Sequence, residues 1–301
     1  MTPTLSVTLT SYGPGAPGSW REILDHAVLA EAAGVDRILL TDHVVMGANT
    51  AAYPYGEFPF ASDVDWLEPL TAIAAMAART RRVRFSTKIL IAPLRPAPLL
   101  AKTLATLDAL SGGRIEVGVG TGWQREEFAA AGVDWERRGR ILTDAIAACR
   151  ALWSEAPASF RSESVSFERI WCAPRPVQAR IPVWFAGRLH ARNVASICRL
   201  GDGWIPEPYA PPEALEAGLP RLREAWERAG RDPAALGVQG DLDALRGSDG
   251  RPDLRASLAA VPRWVRAGAT TVNVVMSLFA GRRRAGDFFD ILSREWPAAA
   301  G

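Results

Sequence analysis

The chain has 301 residues, 48% of them hydrophobic, which is enough to bury one large core. Its 35 basic and 33 acidic residues nearly cancel and form no long block of one sign, which argues against a nucleic-acid or membrane-surface partner. No basic leader and no run of about 18 apolar residues is present. We therefore expect a cytosolic protein with one domain over residues 1–301 that acts on a small molecule.

The cysteines and histidines do not predict a metal site. Cys149, Cys172 and Cys198 lie far apart, without the spacing of a zinc site or a disulfide framework, so we interpret them as free buried thiols. The first predicted strand lacks the paired histidines of a metal-dependent hydrolase. A Gly-x-Ser-x-Gly motif is also absent, which disfavours a serine esterase.

Strand and helix patterns alternate along the chain. Predicted strands cover residues 5–10, 37–41, 83–91, 114–119, 183–186, 203–206, 236–241 and 270–276. Predicted helices cover residues 20–34, 66–79, 96–110, 137–153, 190–200, 212–229 and 254–267. This alternation gives about eight βα units and predicts an α/β fold, a (β/α)8 TIM barrel. Residues 154–182, after the fourth helix, are rich in Ser and Pro and predict an insertion with a short hairpin.

Two loops need separate interpretation. Residues 13–18 have the glycine spacing of a dinucleotide-binding loop, but Pro14 and Pro17 lack the N–H groups that would face a pyrophosphate. We interpret this segment as a plain loop. Residues 44–65 are too irregular to form an element, and their aromatic side chains are typical of a lid or a pocket wall.

Two predicted strand ends carry candidate site residues. Asp42 and His43 end a continuously apolar strand, where barrel enzymes place catalytic groups, although a structural role for His43 stays open. Asp42 could orient the next loop or accept a hydrogen bond from a ligand. Gly120 and Gly122 follow another strand, where the absence of a side chain lets the backbone approach a ligand closely.

Several motifs occur in a specific order between residues 5 and 206. They are Thr41-Asp-His-Val, the segment from Pro93 to Arg114 ending Asp-Ala-Leu-Ser-Gly-Gly-Arg, Gly118-Val-Gly-Thr-Gly-Trp123 with Glu126-Glu127-Phe128, Pro174-Arg-Pro-Val-Gln178, and Ala186-Gly187 with Leu200-Gly-Asp-Gly-Trp-Ile205. As a set they resemble the luciferase-like family of flavin- and deazaflavin-dependent oxidoreductases, most of all its coenzyme F420-dependent branch.

The resemblance implies a luciferase-like TIM barrel that holds coenzyme F420 or a flavin at the carboxyl ends of its strands. His43 is the implied catalytic residue, a proton donor, acceptor or hydrogen-bond partner beside the reactive ring. The predicted cofactor-binding residues are Asp42, His43, Thr87, Lys88, Gly120, Gly122, Trp123, Ala186, Gly187, Arg188 and Leu189.

For three groups of these residues, the resemblance also predicts a specific structural role. The resemblance places a strained bulge or cis peptide at Thr87 and Lys88, against the ring. It places backbone N–H groups for the cofactor phosphate at residues 186–189, before a helix start. In the sugar-phosphate dehydrogenase branch, the position of Trp123 is a catalytic acid, so Trp123 argues against that substrate class and for an apolar wall.

The expected activity is coenzyme F420-dependent hydride transfer to or from a small, partly hydrophobic substrate. The alternatives are an FMNH2-dependent monooxygenase that uses O2 and a partner flavin reductase, and a flavin-binding barrel without turnover. We expect a homodimer, and an F420 reductase or dehydrogenase as a possible partner. Arg282 to Arg284 either reach the anionic tail of the coenzyme or form a solvated loop.

Overall fold

The computed structural model describes residues 2–13, 19–280 and 284–301. Parallel strands at its centre occupy eight successive positions around a barrel. They are β1 Thr4–Thr8, β2 Arg37–Leu40, β3 Arg84–Thr87 continued by Leu90–Ile91, β4 Val117–Gly120, β5 Val183–Ala186, β6 Gly203–Ile205, β7 Gly237–Asp241 and β8 Thr271–Val275. The predicted (β/α)8 TIM barrel is confirmed.

The barrel closes through the interrupted third strand. The first half of β3 pairs with β2, and its second half pairs with β4. A bridge between Phe85 and Ile115 joins the first half to the segment before β4 as well. At the other side, β1 pairs with both β2 and β8. The interruption contains a cis peptide bond between Lys88 and Ile89.

Helices surround the barrel. They are α1 Glu22–Ala32, α2 Pro69–Arg79, α3 Ala97–Ser111, α4 Arg125–Ala130, α5 Arg138–Ser154, α6 Ala191–Leu200, α7 Pro212–Arg228, α8 Leu254–Leu258, α9 Val261–Arg266, α10 Met276–Phe279 and α11 Ala285–Ala300. The single helix predicted over residues 254–267 is wrong, because Pro262 has no N–H to continue the hydrogen bonds of α8 and instead stands in the first turn of α9.

Other boundaries also differ from the prediction. Residues 66–68 are not helical, because Trp66 pairs with Tyr12 in a two-residue antiparallel bridge. The helix α2 begins instead at Pro69, after Glu68 caps it by accepting from Thr71 N–H at 2.7 Å. The sequence did not predict α4 or α11. The loop interpretation of residues 14–18 falls outside the described residues.

The insertion predicted at residues 154–182 contains an antiparallel hairpin of Ala158–Arg161 and Ser166–Ile170. Gln178, near its end, donates to Asp108 Oδ1 at 2.7 Å and to the Ile115 carbonyl at 2.7 Å, which fastens the segment to the barrel. The three cysteines are buried and free, as predicted. That residues 1–301 form one domain stays a prediction.

Side chains fill the barrel at the end where the strands begin. Trp184 donates its indole N–H to Glu116 Oε2 at 3.0 Å, and the guanidinium carbon of Arg37 lies 4.4 Å from the Trp184 ring centre. All three residues are at most 8% exposed. Because this end is filled, a ligand enters the barrel from the opposite end, where the strands finish.

Candidate active site

A cavity of about 530 Å³ lies at the carboxyl ends of the barrel strands. Each strand or the residue after it contributes to the lining, through Thr8, Thr41, Lys88, Gly120, Ala186, Ile205, Asp241 and Val275. A cavity of this size suits a cofactor or a drug-sized molecule. In barrels of this architecture, this end carries the active site.

His43 lies in the wall of the cavity, just past the end of β2, and is 9% exposed. Its Nδ1 lies 3.2 Å from Oε2 of Glu127, and its Nε2 accepts from the indole N–H of Trp123 at 3.2 Å. The Trp66 ring meets the imidazole edge to face, at a centre distance of 4.7 Å. The predicted catalytic residue is therefore held on three sides by side chains from other segments of the chain.

Glu127 is the main site residue for which the sequence predicted no role. It stands on the short helix α4 and its side chain is fully buried. Oε1 accepts from the Val44 N–H at 2.6 Å and, more weakly, from the Val45 N–H at 3.4 Å. The motif Glu126-Glu127-Phe128 is part of the family resemblance, but the sequence does not reveal which of its two carboxylates is buried beside His43.

A second contact fastens the loop after His43 to the segment after β4. Gln124 is fully buried, accepts from Gly47 N–H at 2.7 Å and donates to the Gly47 carbonyl at 3.1 Å. A Cβ at Gly47 would lie 2.5 Å from Cβ of Glu126, so only glycine fits there. Together with Glu127, these contacts fix the loop that positions His43.

Aromatic rings form much of the cavity wall. Trp123 contacts Tyr53 and Phe58, with ring centres 5.2 and 5.3 Å apart. Tyr12 stacks on Trp66 at 4.6 Å. The chain has four tyrosines, and all of them line this cavity: Tyr12, Tyr53, Tyr55 and Tyr209. The predicted aromatic character of residues 44–65 and of Trp123 thus converges on one surface.

Burial among these rings changes the chemistry of the phenols. It raises the pKa of Tyr53 to about 12, and the neighbouring Tyr209 and Tyr55 add to the effect. The pKa of Tyr55 is raised for the same first reason, with a further contribution from Glu207. Both hydroxyls are therefore neutral near pH 7 and are available as hydrogen-bond donors.

Asp42 contacts the cavity, but its carboxylate oxygens already accept hydrogen bonds from other residues of the protein. Oδ2 accepts from Ile91 N–H at 2.8 Å and from Arg95 Nη1 at 2.7 Å, and Oδ1 accepts from Arg95 Nη2 at 3.0 Å. The Asp42 side chain is fully buried. Asp42 therefore holds the segment after the interrupted strand, through Ile91 and Arg95, and not the loop that follows it in the chain.

Thr87 and Lys88 differ in their relation to the cavity. Thr87 is fully buried and donates to the Gly118 carbonyl at 2.7 Å. Lys88 lines the cavity, and its Nζ lies 2.7 Å from Oδ2 of Asp241. Asp241 Oδ1 also accepts from Asn273 at 2.9 Å. The cis peptide follows Lys88, one residue beyond the expected position.

Gly120, the last residue of β4, and Gly122, just after it, have little room for a side chain. A Cβ at Gly120 would lie 2.8 Å from Cδ1 of Ile89, next to the cis peptide. Gly122 has a φ of +69°, and a Cβ there would lie 2.9 Å from Ile91. Both glycines line the cavity, where the absence of a side chain lets a ligand approach the backbone closely.

The predicted phosphate-binding segment is only partly at the cavity. Ala186 and Gly187 line it. The Gly187 N–H is used within the sheet, where it donates to the Ile205 carbonyl at 2.9 Å. Arg188 is exposed and pairs with Glu207 at 2.5 Å, whereas Leu189 packs against the hydrophobic core. This arrangement leaves the N–H groups of Arg188 and Leu189, before the start of α6, as the ones suited to an anion.

Of the three arginines after β8, the structure describes Arg284. Arg282 and Arg283 lie outside the described residues. Arg284 is exposed and stands immediately before α11. Both alternatives for these arginines, contact with a coenzyme tail and a solvated loop, stay predictions.

The fold and the cavity define a barrel enzyme with a histidine at its strand ends. The sequence model of the luciferase-like monooxygenase family matches residues 4–242, so the chain belongs to this family of oxidoreductases. The predicted family and enzyme class are confirmed. The individual site residues stay predictions.

Two proteins are similar in sequence to more than half of this chain. An uncharacterized protein of Mycobacterium tuberculosis is 34% identical over 251 residues, which are 82% of this chain and 84% of the relative. A protein of Intrasporangium calvum named F420-dependent glucose-6-phosphate dehydrogenase is 36% identical over 193 residues, covering 62% of this chain and 53% of the relative.

Solved structures share the fold at lower identity. A monooxygenase from Streptomyces bottropensis superposes with a TM-score of 0.78 at 19% identity, covering 99% of this chain and 100% of that one. An F420-dependent secondary alcohol dehydrogenase in complex with an F420-acetone adduct also has a TM-score of 0.78, at 18% identity and 99% coverage of each chain.

Two negative observations apply to residues 2–13, 19–280 and 284–301. No helix in these ranges is long and apolar enough to cross a membrane. Within the same ranges, no group of three or more His, Cys, Asp and Glu side chains is arranged to hold a metal ion.

Proposed function

We propose that this protein is a coenzyme F420-dependent oxidoreductase that transfers a hydride between the deazaflavin ring and a small, partly hydrophobic organic substrate. The observation that carries the proposal is His43, whose imidazole lies between Trp123 and Glu127 in the cavity wall. A histidine can give or take a proton near neutral pH. The name of the Intrasporangium calvum relative supports the choice of coenzyme.

The cavity is suited to a flat tricyclic ring. Its volume of about 530 Å³ is sufficient, and a Cβ at Gly120 would collide with Ile89, so this part of the lining has no room for a side chain. We assign Ile89, Gly120 and Ala186 to the ring. Because the carboxylate of Asp42 and the hydroxyl of Thr87 bind other groups, we expect these two residues to contribute through their backbone.

The tail of the coenzyme is anionic and needs donors outside the ring site. We assign to it the N–H groups of residues 186–189, before α6, in particular those of Arg188 and Leu189. The exposed guanidinium of Arg188 stands at the same place, although Glu207 partly neutralises it. Arginine suits a phosphate or carboxylate because its donors are planar and permanently charged.

When bound, the deazaflavin supplies the hydride chemistry, and the protein supplies orientation, proton transfer and exclusion of water. His43 holds or moves the proton at Nε2, the nitrogen that Trp123 contacts. Trp123 contacts this nitrogen and packs against Tyr53 and Phe58, so we expect these rings to exclude water from it.

The lining favours an uncharged, partly apolar substrate over a sugar phosphate. Among the described lining residues Lys88 is the only lysine or arginine, and it is already paired with Asp241. Trp123 stands where the resemblance places a catalytic acid in the sugar-phosphate branch. We therefore do not extend the substrate named for the Intrasporangium calvum relative to this chain.

A second candidate is an FMNH2-dependent monooxygenase that uses O2 and a partner flavin reductase. The description of the matching family as luciferase-like monooxygenase favours it. The same cavity would accept the flavin ring, whose size is similar.

A binding titration separates the two candidates. We expect purified protein to quench the fluorescence of oxidised coenzyme F420 on micromolar binding and to bind FMN more weakly. Tight binding of FMN, above all in its reduced form, would instead support the monooxygenase.

The variant His43→Ala is expected to bind F420 and to lose about 10²-fold or more in turnover, because the proton-transfer group is missing. Near-normal turnover of His43→Ala would remove His43 from the mechanism.

A further inference from the structure

The two hydrogen bonds of His43 determine where its proton lies. The indole N–H of Trp123 can only donate, so Nε2 of His43, 3.2 Å away, must accept. The proton of the neutral imidazole is therefore on Nδ1, which faces Oε2 of Glu127 at 3.2 Å. A carboxylate accepts this proton, so both contacts are satisfied by one tautomer.

Glu127 is itself held in place from the backbone. Its Oε1 accepts from the Val44 N–H at 2.6 Å, in the residue that follows His43. Within the described residues, the imidazole is the one titratable group at ion-pair distance from this fully buried carboxylate. The same side chain thus sets the path of the loop and the tautomer of the histidine.

We propose that Glu127 is a positioning residue that fixes His43 in its Nδ1–H tautomer and presents Nε2 to the cavity as the proton acceptor. A substrate hydroxyl replaces the Trp123 N–H at Nε2; its O–H bond breaks and an Nε2–H bond forms. The Glu127 carboxylate stabilises the imidazolium through the Nδ1–H contact. This step rests on the proposed function, in which the hydride of the same substrate carbon goes to the coenzyme.

The tautomer can be measured without coenzyme or substrate. The chain has three histidines, so two-bond 1H–15N correlation spectra of the labelled protein are simple to assign, with His43→Ala identifying the signal. We expect wild-type His43 to carry its proton on Nδ1. A proton on Nε2 would overturn the proposal, whatever the coenzyme titration shows.

Two variants identify the residue responsible. Glu127→Gln is expected to give a mixture of tautomers, because the wild-type carboxylate uses a different oxygen for Val44 and for His43 and the amide has only one. When the amide oxygen accepts from the Val44 N–H, the NH2 group faces Nδ1 of His43 as a donor. Trp123→Phe removes only the donor to Nε2 and is expected to keep the Nδ1–H tautomer. Loss of the tautomer in Trp123→Phe but not in Glu127→Gln would assign the role to Trp123 instead.

Kinetics give a second readout. Glu127→Gln is expected to lower kcat about 10²-fold while the Kd for coenzyme F420 changes less than about threefold, as for a group that acts through the proton acceptor. If Glu127→Gln retains the wild-type tautomer and kcat, Glu127 has no positioning role. Failure of F420 to bind the wild type would contradict the proposed function but leave the tautomer result intact.

Discussion

Asp42 and His43 are neighbours in sequence but serve different parts of the structure. The His43 imidazole faces the cavity, whereas the Asp42 carboxylate turns to Arg95 and the Ile91 N–H. Both residues lie just past the end of β2, so their directions are set by their different hydrogen-bond partners. Arg95 also binds Glu68, which is 41% exposed, so the two acids differ mainly in burial.

This difference predicts unequal stability effects. Asp42→Ala leaves the largely buried Arg95 without its bidentate partner and is expected to lower the free energy of unfolding by about 3 kcal/mol. Glu68→Ala is the matched control: it loses an exposed ion pair and the cap of α2, so we expect about 1 kcal/mol. Urea unfolding measures both. Equal losses would show that the burial of Asp42 has no energetic weight.

At the scale of elements, the starts of β6 and β7 are shaped by a residue on β5. A Cβ at Gly203 or at Gly237 would collide with the Trp184 ring. Trp184 is 6% exposed and is fixed by its hydrogen bond to Glu116. The strands therefore begin with glycine because a large side chain fills the barrel at that end.

Replacing one of these glycines should cost stability without touching the cavity. We expect Gly237→Ala to lower the free energy of unfolding by about 1–3 kcal/mol, because Trp184 must move in a filled interior. Gly286→Ala is the control, since its Cβ would meet nothing within 4 Å on the helix α11. There the change is expected to be neutral or to stabilise by up to about 1 kcal/mol. A neutral Gly237→Ala would contradict this packing argument.

At the scale of the whole molecule, Asp202 joins several segments ahead of β6. Its carboxylate contacts Arg150 on α5 at 2.6 Å, Arg180 at the end of the insertion at 2.7 Å and Arg231 after α7 at 3.1 Å. Burial lowers the pKa of Arg150 to about 10, partly offset by Asp202, so it stays charged near pH 7. One acid therefore organises three cations, of which Arg150 and Arg231 are half-buried and Arg180 is exposed.

The charge balance predicts a pH dependence of stability. Burial alone would raise the pKa of Asp202, but Arg150, the Val183 N–H and Arg180 hold it below its usual value. A carboxyl with a lower pKa in the folded state adds stability above the unfolded pKa, about 3.9, and loses it as the pH falls toward the folded value. Asp202→Asn is expected to cost about 3 kcal/mol at pH 7. The difference from wild type should shrink below about pH 4.

A carboxyl with the opposite shift provides the control. Burial raises the pKa of Asp243, and the nearby Asp241 adds to it, so ionised Asp243 does not stabilise the fold. We expect Asp243→Asn to leave stability near pH 7 unchanged or slightly higher. Thermal unfolding of both variants from pH 3 to pH 8 measures the two trends. A penalty for Asp202→Asn that is independent of pH would contradict the ionic explanation.

The sequence by itself determined the barrel and its family. Local signals were sufficient for that, because apolar strands, helix caps and turn glycines such as Gly34 and Gly112 act within a few residues. The position of His43 at a strand end followed from the same reasoning, since all parallel strands finish at one end of a barrel. The motifs also indicated a flavin or deazaflavin, although not which of the two.

Only the tertiary structure decided what surrounds His43. Glu127 is 84 residues away along the chain and Trp123 is 80, so no periodicity relates them to the histidine. The direction of each side chain depends on packing between loops, as the buried carboxylates of Asp42 and Glu127 show. Sequence patterns record which residues prefer burial, whereas the partner of a buried polar group is set by three-dimensional proximity.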